Sequence, residues 1–189
     1  MNKSQLDRRH RKLSKFLSLL LRHRPARFPI EMDAQGCASL DEIMHILNGL
    51  PNFRWATRAD VETVVEATGR RRFEIEGDRI RALYGHTAFR PEYEAVTPPP
   101  QLYHGTAPES LKTIRNEGLR PMARQFVHLA ATPETARSIG LRHSSEPVLL
   151  TIDAGRAYDA GVEFYHPVEE IYLTEQVPPE YINLKSEAS

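Results

Sequence analysis

The chain reads as an α+β protein in two lobes, and three observations carry that reading. Apolar residues recur at helical spacing in three early segments and then alternate at strand spacing. A proline-rich stretch, Pro91-Glu-Tyr-Glu-Ala-Val-Thr-Pro-Pro-Pro-Gln101, interrupts both patterns. Beyond it, short apolar strands are separated by short helices. With 189 residues, 40% of them hydrophobic, the chain can bury a core in one domain or in two small ones.

In the first lobe Leu13, Phe16, Leu17, Leu20 and Leu21 share a helical face, lysines and arginines occupy the other, and Pro25 ends the helix. Ser39 with Glu42 predicts a capping box for a second helix carrying Leu40, Ile43, Met44 and Leu47. Thr57 with Asp60 opens a third, running to Thr68 and carrying Val61, Val64 and Val65. Phe73 and Ile75, the Gly77-Asp78 turn, then Ile80 and Ala82 predict a hairpin. Three helices followed by a hairpin is the order of a winged helix, which usually binds nucleic acid and also serves as a protein-interaction module. The expected lobe is 1–93, followed by a linker at 94–101 and a second lobe at 102–189.

The second lobe is expected to hold strands at Leu102 to His104, Val127 to Leu129, Val148 to Ile152 and Ile171 to Leu173. One helix runs from Glu109 to Glu117 and is closed by Gly118; another has Thr132 as its N-cap and Pro133 in its first turn. There is no internal repeat and no low-complexity tract.

The formal net charge of zero hides an asymmetry. Residues 1–93 carry 17 Lys and Arg against 12 Asp and Glu, and residues 94–189 carry 8 against 13. Within the first 27 residues nine basic side chains face one acid, Asp7, the footprint expected for a polyanionic ligand. The single cysteine, Cys37, excludes an internal disulfide and points to a reducing compartment. The apolar run Phe16 to Leu21 is too short to span a bilayer and lacks a signal-cleavage pattern, so a soluble cytoplasmic protein is expected. No Rossmann, phosphate-loop or metal-ligand motif is present.

Arg22 and His23 at the end of the basic helix, Arg72 after the third helix and Arg124 in the second lobe supply what is needed to hold a highly charged phosphate and move a proton beside it. Taken singly, Arg22 and His23 would also suit the negative end of a helix dipole, Arg72 an exposed basic run Arg70-Arg71-Arg72, and Arg124 an ordinary loop. The strand end Leu102-Tyr103-His104-Gly105-Thr106 brings an imidazole, a glycine turn and a hydroxyl together, and alone it reads equally well as a turn with a satisfied histidine.

The ordered set Leu13-Ser14-Lys15 to Leu21-Arg22-His23, Arg72-Phe73, Ile80-Arg81-Ala82, Gly85-His86, Tyr103 to Thr106, Arg124 to Leu129 and Val177-Pro178-Pro179 resembles the RNA 2′-phosphotransferases, the family that includes the tRNA-splicing 2′-phosphotransferases. The resemblance spans nearly the whole chain. It implies a winged-helix N-terminal lobe and a C-terminal lobe like the NAD-binding fold of ADP-ribosyltransferases. It places the catalytic set on Arg22, His23, Arg72 and Arg124, and NAD contacts on His104, Gly105, Thr106, His128, Gly140 and Arg142. Where the family usually has Gln-Gly-His-Ser, this chain has Tyr84-Gly85-His86-Thr87; Ala130 stands in place of a serine, and Glu169-Glu170-Ile171-Tyr172-Leu173 in place of Asn-Gly-Val-Trp-Leu.

The implied reaction consumes NAD and needs no metal. An internal RNA 2′-phosphate displaces nicotinamide from the ribose, giving RNA joined to ADP-ribose through the phosphate; the ribose 2″-hydroxyl then attacks that phosphate, releasing RNA and ADP-ribose 1″,2″-cyclic phosphate. An apolar Ile171, near where protein-modifying relatives carry a glutamate, fits a nucleophile that needs no base. The implied partners are NAD and RNA bearing a 2′-phosphate, with no membrane, and a monomer is expected. Two other readings stay open. One is a winged-helix regulator, for which the acidic third helix (Asp60, Glu62, Glu66) is poorly suited to DNA. The other is an ADP-ribosyltransferase that acts on nucleic-acid phosphate ends and stops after the first step.

Overall fold

Helix α1, Lys3–Ser18, forms because Leu13 and Leu17 stack one turn apart and are both fully buried. The computed structural model describes residues 3–67 and 71–183, so Thr68 and Arg70 lie outside the described residues. The chain divides into two units, Met1–Glu92 and Tyr93–Ser189. The helical run does not continue unchanged to Pro25. After Ser18 it widens into one π-helical turn, Leu19–His23, in which the Arg24 amide donates to the Leu19 carbonyl at 2.8 Å. The wider turn lets Leu20, Leu21 and Arg22 all be buried in succession, which a regular α-helix cannot do on a single face.

Strand β1, Cys37–Ser39, was not legible in the sequence. It ends at Ser39, paired with Arg79, and the Ser39 side chain makes no capping hydrogen bond. The expected Ser39–Glu42 capping box is therefore corrected: the Leu40 amide donates instead to the Asp78 carbonyl at 2.8 Å. Helix α2, Leu40–Gly49, buries Leu40, Ile43, Ile46 and Leu47. Its burial outweighs the missing cap, since a cap contributes about 1 kcal/mol and each buried aliphatic side chain about 1.5–3 kcal/mol. Helix α3, Arg58–Glu66, has its predicted cap: the Asp60 amide donates to Thr57 Oγ1 at 3.2 Å and the Thr57 amide to the Asp60 carboxylate at 2.9 Å. Strands β2, Phe73–Glu76, and β3, Arg79–Ala82, form the expected hairpin with Ile75 opposite Ile80. The antiparallel sheet has the order β1-β3-β2, and Leu13, Leu17, Ile43, Leu47, Val61, Phe73 and Ile80 belong to one core.

The second unit is an antiparallel sheet of seven strands flanked by helices. Its elements are β4 (Ala95–Val96), β5 (Gln101–Thr106), α4 (Leu111–Glu117), β6 (Val127–Ala130), α5 (Pro133–Gly140), β7 (Val148–Asp153), α6 (Ala154–Asp159), β8 (Phe164–Val168), β9 (Ile171–Thr174) and β10 (Ile182–Asn183). The strand order is β10-β7-β5-β6-β9-β8-β4. Each of the four predicted strands is present, and β4, β8, β10 and α6 are additional. The 94–101 stretch is not a bare linker, because β4 pairs with Tyr165 and Phe164 of β8 and Gln101 already belongs to β5. Gly118 closes α4 at φ 77°, a conformation only glycine adopts without strain. Thr132 caps α5 by accepting from the Thr135 amide. The core gathers Leu102, Leu129, Leu150, Ile152, Phe164 and Val177.

Candidate functional site

In the first unit the π-turn presents Arg22 with only 8% of its surface exposed. Its Nη2 donates to the main-chain carbonyl of Arg72 at 2.8 Å, and that carbonyl also accepts from the Leu83 amide at 3.0 Å. The guanidinium carbon lies 5.2 Å from the centroid of the Phe73 ring and 5.0 Å from that of Tyr84. Each such cation–π contact contributes about 0.5–2 kcal/mol, more where water is excluded. The Arg72 side chain points back to α1, with Nη1 donating to Ser14 Oγ at 3.3 Å. Structure thus brings Arg22 and Arg72 together, and Arg72 is not a freely exposed basic residue.

His23 is exposed, and its Nδ1 lies 3.0 Å from Thr87 Oγ1. The Thr87 and Ala88 amides both donate to the Arg22 carbonyl, at 3.0 and 3.2 Å, filling an acceptor that the end of a helix leaves open. Gly85, at φ 84°, lets the chain turn close beside the Arg22 guanidinium. Between them His86 is buried, packed edge-on against Phe89 with ring centroids 4.7 Å apart. Among the described residues neither His86 ring nitrogen finds a hydrogen-bond partner. Burial first, then the positive charges of Arg22 and His23, push its pKa down to about 3, so the ring is neutral at pH 7. In the sequence His86 belongs only to the Gly85-His86 motif. A histidine between a glycine and a run of apolar and hydroxyl residues carried no signal of this burial.

In the second unit β5 and β6 pair directly at Tyr103 and Ala130, and the His104 imidazole spans the next gap. Its Nδ1–H donates to the His128 carbonyl at 2.9 Å, which leaves Nε2 as the ring's acceptor. Burial lowers the His104 pKa; the His128 carbonyl opposes this, and the charges of Arg124 and His143 add to the lowering. His104, Arg124 and His143 therefore share one electrostatic neighbourhood within this unit. His128 Nδ1 donates to the Phe126 carbonyl at 3.0 Å, which fixes that ring as well.

Gly105 and Thr106 lie inside β5, opposite Leu149 and Val148, and not in the glycine turn expected after His104. The strand continues because α5 packs directly upon it. A Cβ on Gly105 would collide with the Ala136 carbonyl oxygen and lie 3.1 Å from the Gly140 Cα, and one on Gly140 would lie 2.6 Å from the Pro147 Cβ. Gly105 and Gly140 are thus brought face to face, and their lack of a side chain is required by packing whatever else they contact. Thr106 is buried, whereas Arg142, two residues beyond Gly140, is exposed, as is Arg124 in the loop before β6. Ile171 is buried at the start of β9 opposite Ala130, so an apolar residue suits that position structurally.

Among the described residues no helix is long and apolar enough to cross a membrane. The same residues contain no group of three or more His, Cys, Asp or Glu side chains placed to hold a metal ion.

Comparison with known proteins gives the class, enzymes that transfer phosphorus-containing groups, and with it the family. The model of the family described as RNA 2′-phosphotransferase, Tpt1 / KptA family, matches residues 8–176. A relative from Acetivibrio thermocellus named probable RNA 2′-phosphotransferase is 37% identical over 175 residues, covering 92% of this chain and 96% of its own. Proteins of the same name from Streptomyces coelicolor and Thermococcus kodakarensis are 40% and 38% identical, covering 90% and 92% of this chain and 93% and 96% of theirs. The chain belongs to the RNA 2′-phosphotransferase family.

Proposed function

We propose that this protein is an NAD-dependent RNA 2′-phosphotransferase that removes an internal 2′-phosphate from RNA in the cytoplasm, as in tRNA splicing, and consumes NAD as a second substrate. The observation that carries the proposal is the gathering of Arg22, His23 and Arg72 at one helix end in a chain that matches its family over 169 of 189 positions, residues 8–176. The first unit is read as a winged-helix lobe, supported by α1 to α3 followed by the β2–β3 hairpin. The second is read as an ADP-ribosyltransferase-like lobe.

NAD supplies an electrophilic ribose carbon with nicotinamide as its leaving group. The residues fit such a ligand. His104 is held neutral and offers Nε2 as an acceptor for a ribose hydroxyl, Thr106 and His128 lie beside it in β5 and β6, and exposed Arg142 follows Gly140. A 2′-phosphate is already anionic and needs no general base. Arg22 and Arg72 of the first unit act as donors for phosphoryl charge, and the family resemblance gives Arg124 of the second unit the same role, each such donor contributing about 2.7–4 kcal/mol to transition-state stabilisation by analogy with oxyanion sites. His23 serves the second step, in which one alcohol loses a proton and another oxygen gains one.

The test mixes enzyme, NAD and a short RNA carrying one labelled internal 2′-phosphate. Wild-type protein is expected to release nicotinamide, dephosphorylated RNA and the cyclic phosphate in equal amounts. His23→Ala is expected to accumulate RNA joined to ADP-ribose, because it loses an acid–base contribution of about 10² to 10⁴ mainly from the second step. If wild-type protein stops at that adduct, the protein is an ADP-ribosyltransferase of nucleic-acid phosphates instead. If His23→Ala slows nicotinamide release as much as product formation, His23 acts in the first step.

A further inference from the structure

We propose that Thr87 is a positioning residue for His23, accepting a hydrogen bond from its Nδ1–H and thereby reserving Nε2 for proton transfer. The inference rests on the reading of His23 as the proton carrier, and it deepens that reading by naming which ring atom acts and what holds it.

His23 sits on a π-turn with its ring exposed, so packing alone does not choose among its rotamers or tautomers. A contact that bears on that choice is the one between Nδ1 and Thr87 Oγ1, at 3.0 Å. Thr87 is itself placed by the residue next to His23, because its amide and that of Ala88 both donate to the Arg22 carbonyl. The same short segment is anchored at three further points: Tyr84 lies against the Arg22 guanidinium, Gly85 turns beside it, and His86 is buried against Phe89. The hydroxyl is therefore fixed relative to the backbone that carries His23, across 64 residues of sequence.

A hydroxyl can accept from Nδ1–H both when the imidazole is neutral and, more strongly, when it is protonated. With Nδ1 keeping its hydrogen throughout, the proton taken from the attacking hydroxyl arrives at Nε2, and the proton given to the departing oxygen leaves from Nε2. The ring need not turn between the two events. A valine in place of Thr87 keeps the shape and removes this acceptor, and with it the preference that the hydroxyl imposes on the tautomer.

The experiment uses the full chain labelled with ¹⁵N-histidine, His23 being assigned by difference against His23→Gln. In wild type and in Thr87→Ser, neutral His23 is expected to show a protonated Nδ1 and an unprotonated Nε2; in Thr87→Val it is expected to show a mixture. With NAD and 2′-phosphorylated RNA, Thr87→Val is expected to lose about 10- to 100-fold in product formation from misplacement of the reacting group, while Thr87→Ser stays within about threefold of wild type. The limb of the pH–rate profile that His23→Gln abolishes should move in Thr87→Val and stay in place in Thr87→Ser. The proposal is overturned if wild-type His23 carries its hydrogen on Nε2, a result that the wild-type spectrum gives even if the valine variant does not fold. It is equally overturned if Thr87→Val keeps the wild-type tautomer and rate. The spectra need no substrate, so failure of the functional reading appears separately, as wild-type protein that releases neither nicotinamide nor dephosphorylated RNA.

Discussion

The Arg22 guanidinium donates to the main-chain carbonyl of Arg72 at 2.8 Å, while the Arg72 side chain returns to Ser14 on the helix that precedes Arg22. The two arginines are thereby asymmetric. Arg22 is part of the buried scaffold, and Arg72 contributes its backbone to that scaffold and its side chain to the rim.

Arg72→Ala keeps the carbonyl and should leave Arg22 in place. Its product formation is expected to fall about 10²- to 10³-fold, the scale of one lost transition-state donor, with little change in the urea midpoint. Arg22→Ala is expected to lose at least as much activity and also about 1–3 kcal/mol of stability, from a broken buried hydrogen bond and lost ring contacts. Equal urea midpoints for the two variants would contradict this asymmetry.

His86 makes stability depend on pH. Its pKa is depressed in the folded protein to about 3 from 6.5, so between those values the unfolded chain binds the extra proton. The contribution is fully present above pH 6.5 and is lost as pH falls towards 3, at up to about 1.4 kcal/mol per pH unit. The unfolding free energy of wild type minus that of His86→Phe, measured from pH 7 to pH 4, should fall as the solution is acidified, whichever protein is the more stable at pH 7. Parallel curves would mean that His86 is not held neutral.

Gly105→Ala should cost about 1–3 kcal/mol, the usual range for overpacking, because the added methyl meets backbone on α5 that cannot move without shifting the helix. Gly49→Ala, where a Cβ meets nothing within 4 Å, is the control and should be neutral or slightly stabilising. Thermal midpoints of the two variants provide the comparison. A tolerated Gly105→Ala would show that α5 is not pressed on β5 as described.

RNA affinity should fall with salt. Helix α1 carries Arg8, Arg9 and Lys12 around a surface depression of about 470 Å³, and on the proposed function positive charge there would neutralise phosphates irrespective of sequence. The expected log–log slope is about −0.7 per phosphate neutralised on a single strand, and replacing Arg8, Arg9 and Lys12 by glutamine should reduce it. Filter binding between low and physiological salt gives both slopes, and a salt-independent affinity would reject the electrostatic account.

The sequence by itself determined the parts whose signals are local. Leucine spacing in α1, the Thr57–Asp60 box, the Gly77-Asp78 turn, Thr132 before Pro133 and the order of the motifs were all readable, because each depends on residues a few positions apart. Residue types at the candidate site were readable too, since charge and acid–base capacity belong to the side chain. Only the tertiary structure decided the rest. Strands β4 and β10 have two residues each and β1 three, too few to display a period, and they exist because neighbouring strands offer edges to pair with. Ser39 matched a cap motif yet ends a strand, since its neighbour's amide found the Asp78 carbonyl first. Gly105 looked like a turn and proved to be a contact, because the residue that forbids a side chain there is Ala136, in another element. The burial of His86 and the hydrogen bond between Thr87 and His23 join segments 64 positions apart. Long-range pairing of this kind leaves no mark on local sequence pattern, which is why the residues of the site could be named from the chain but the way they are held could not.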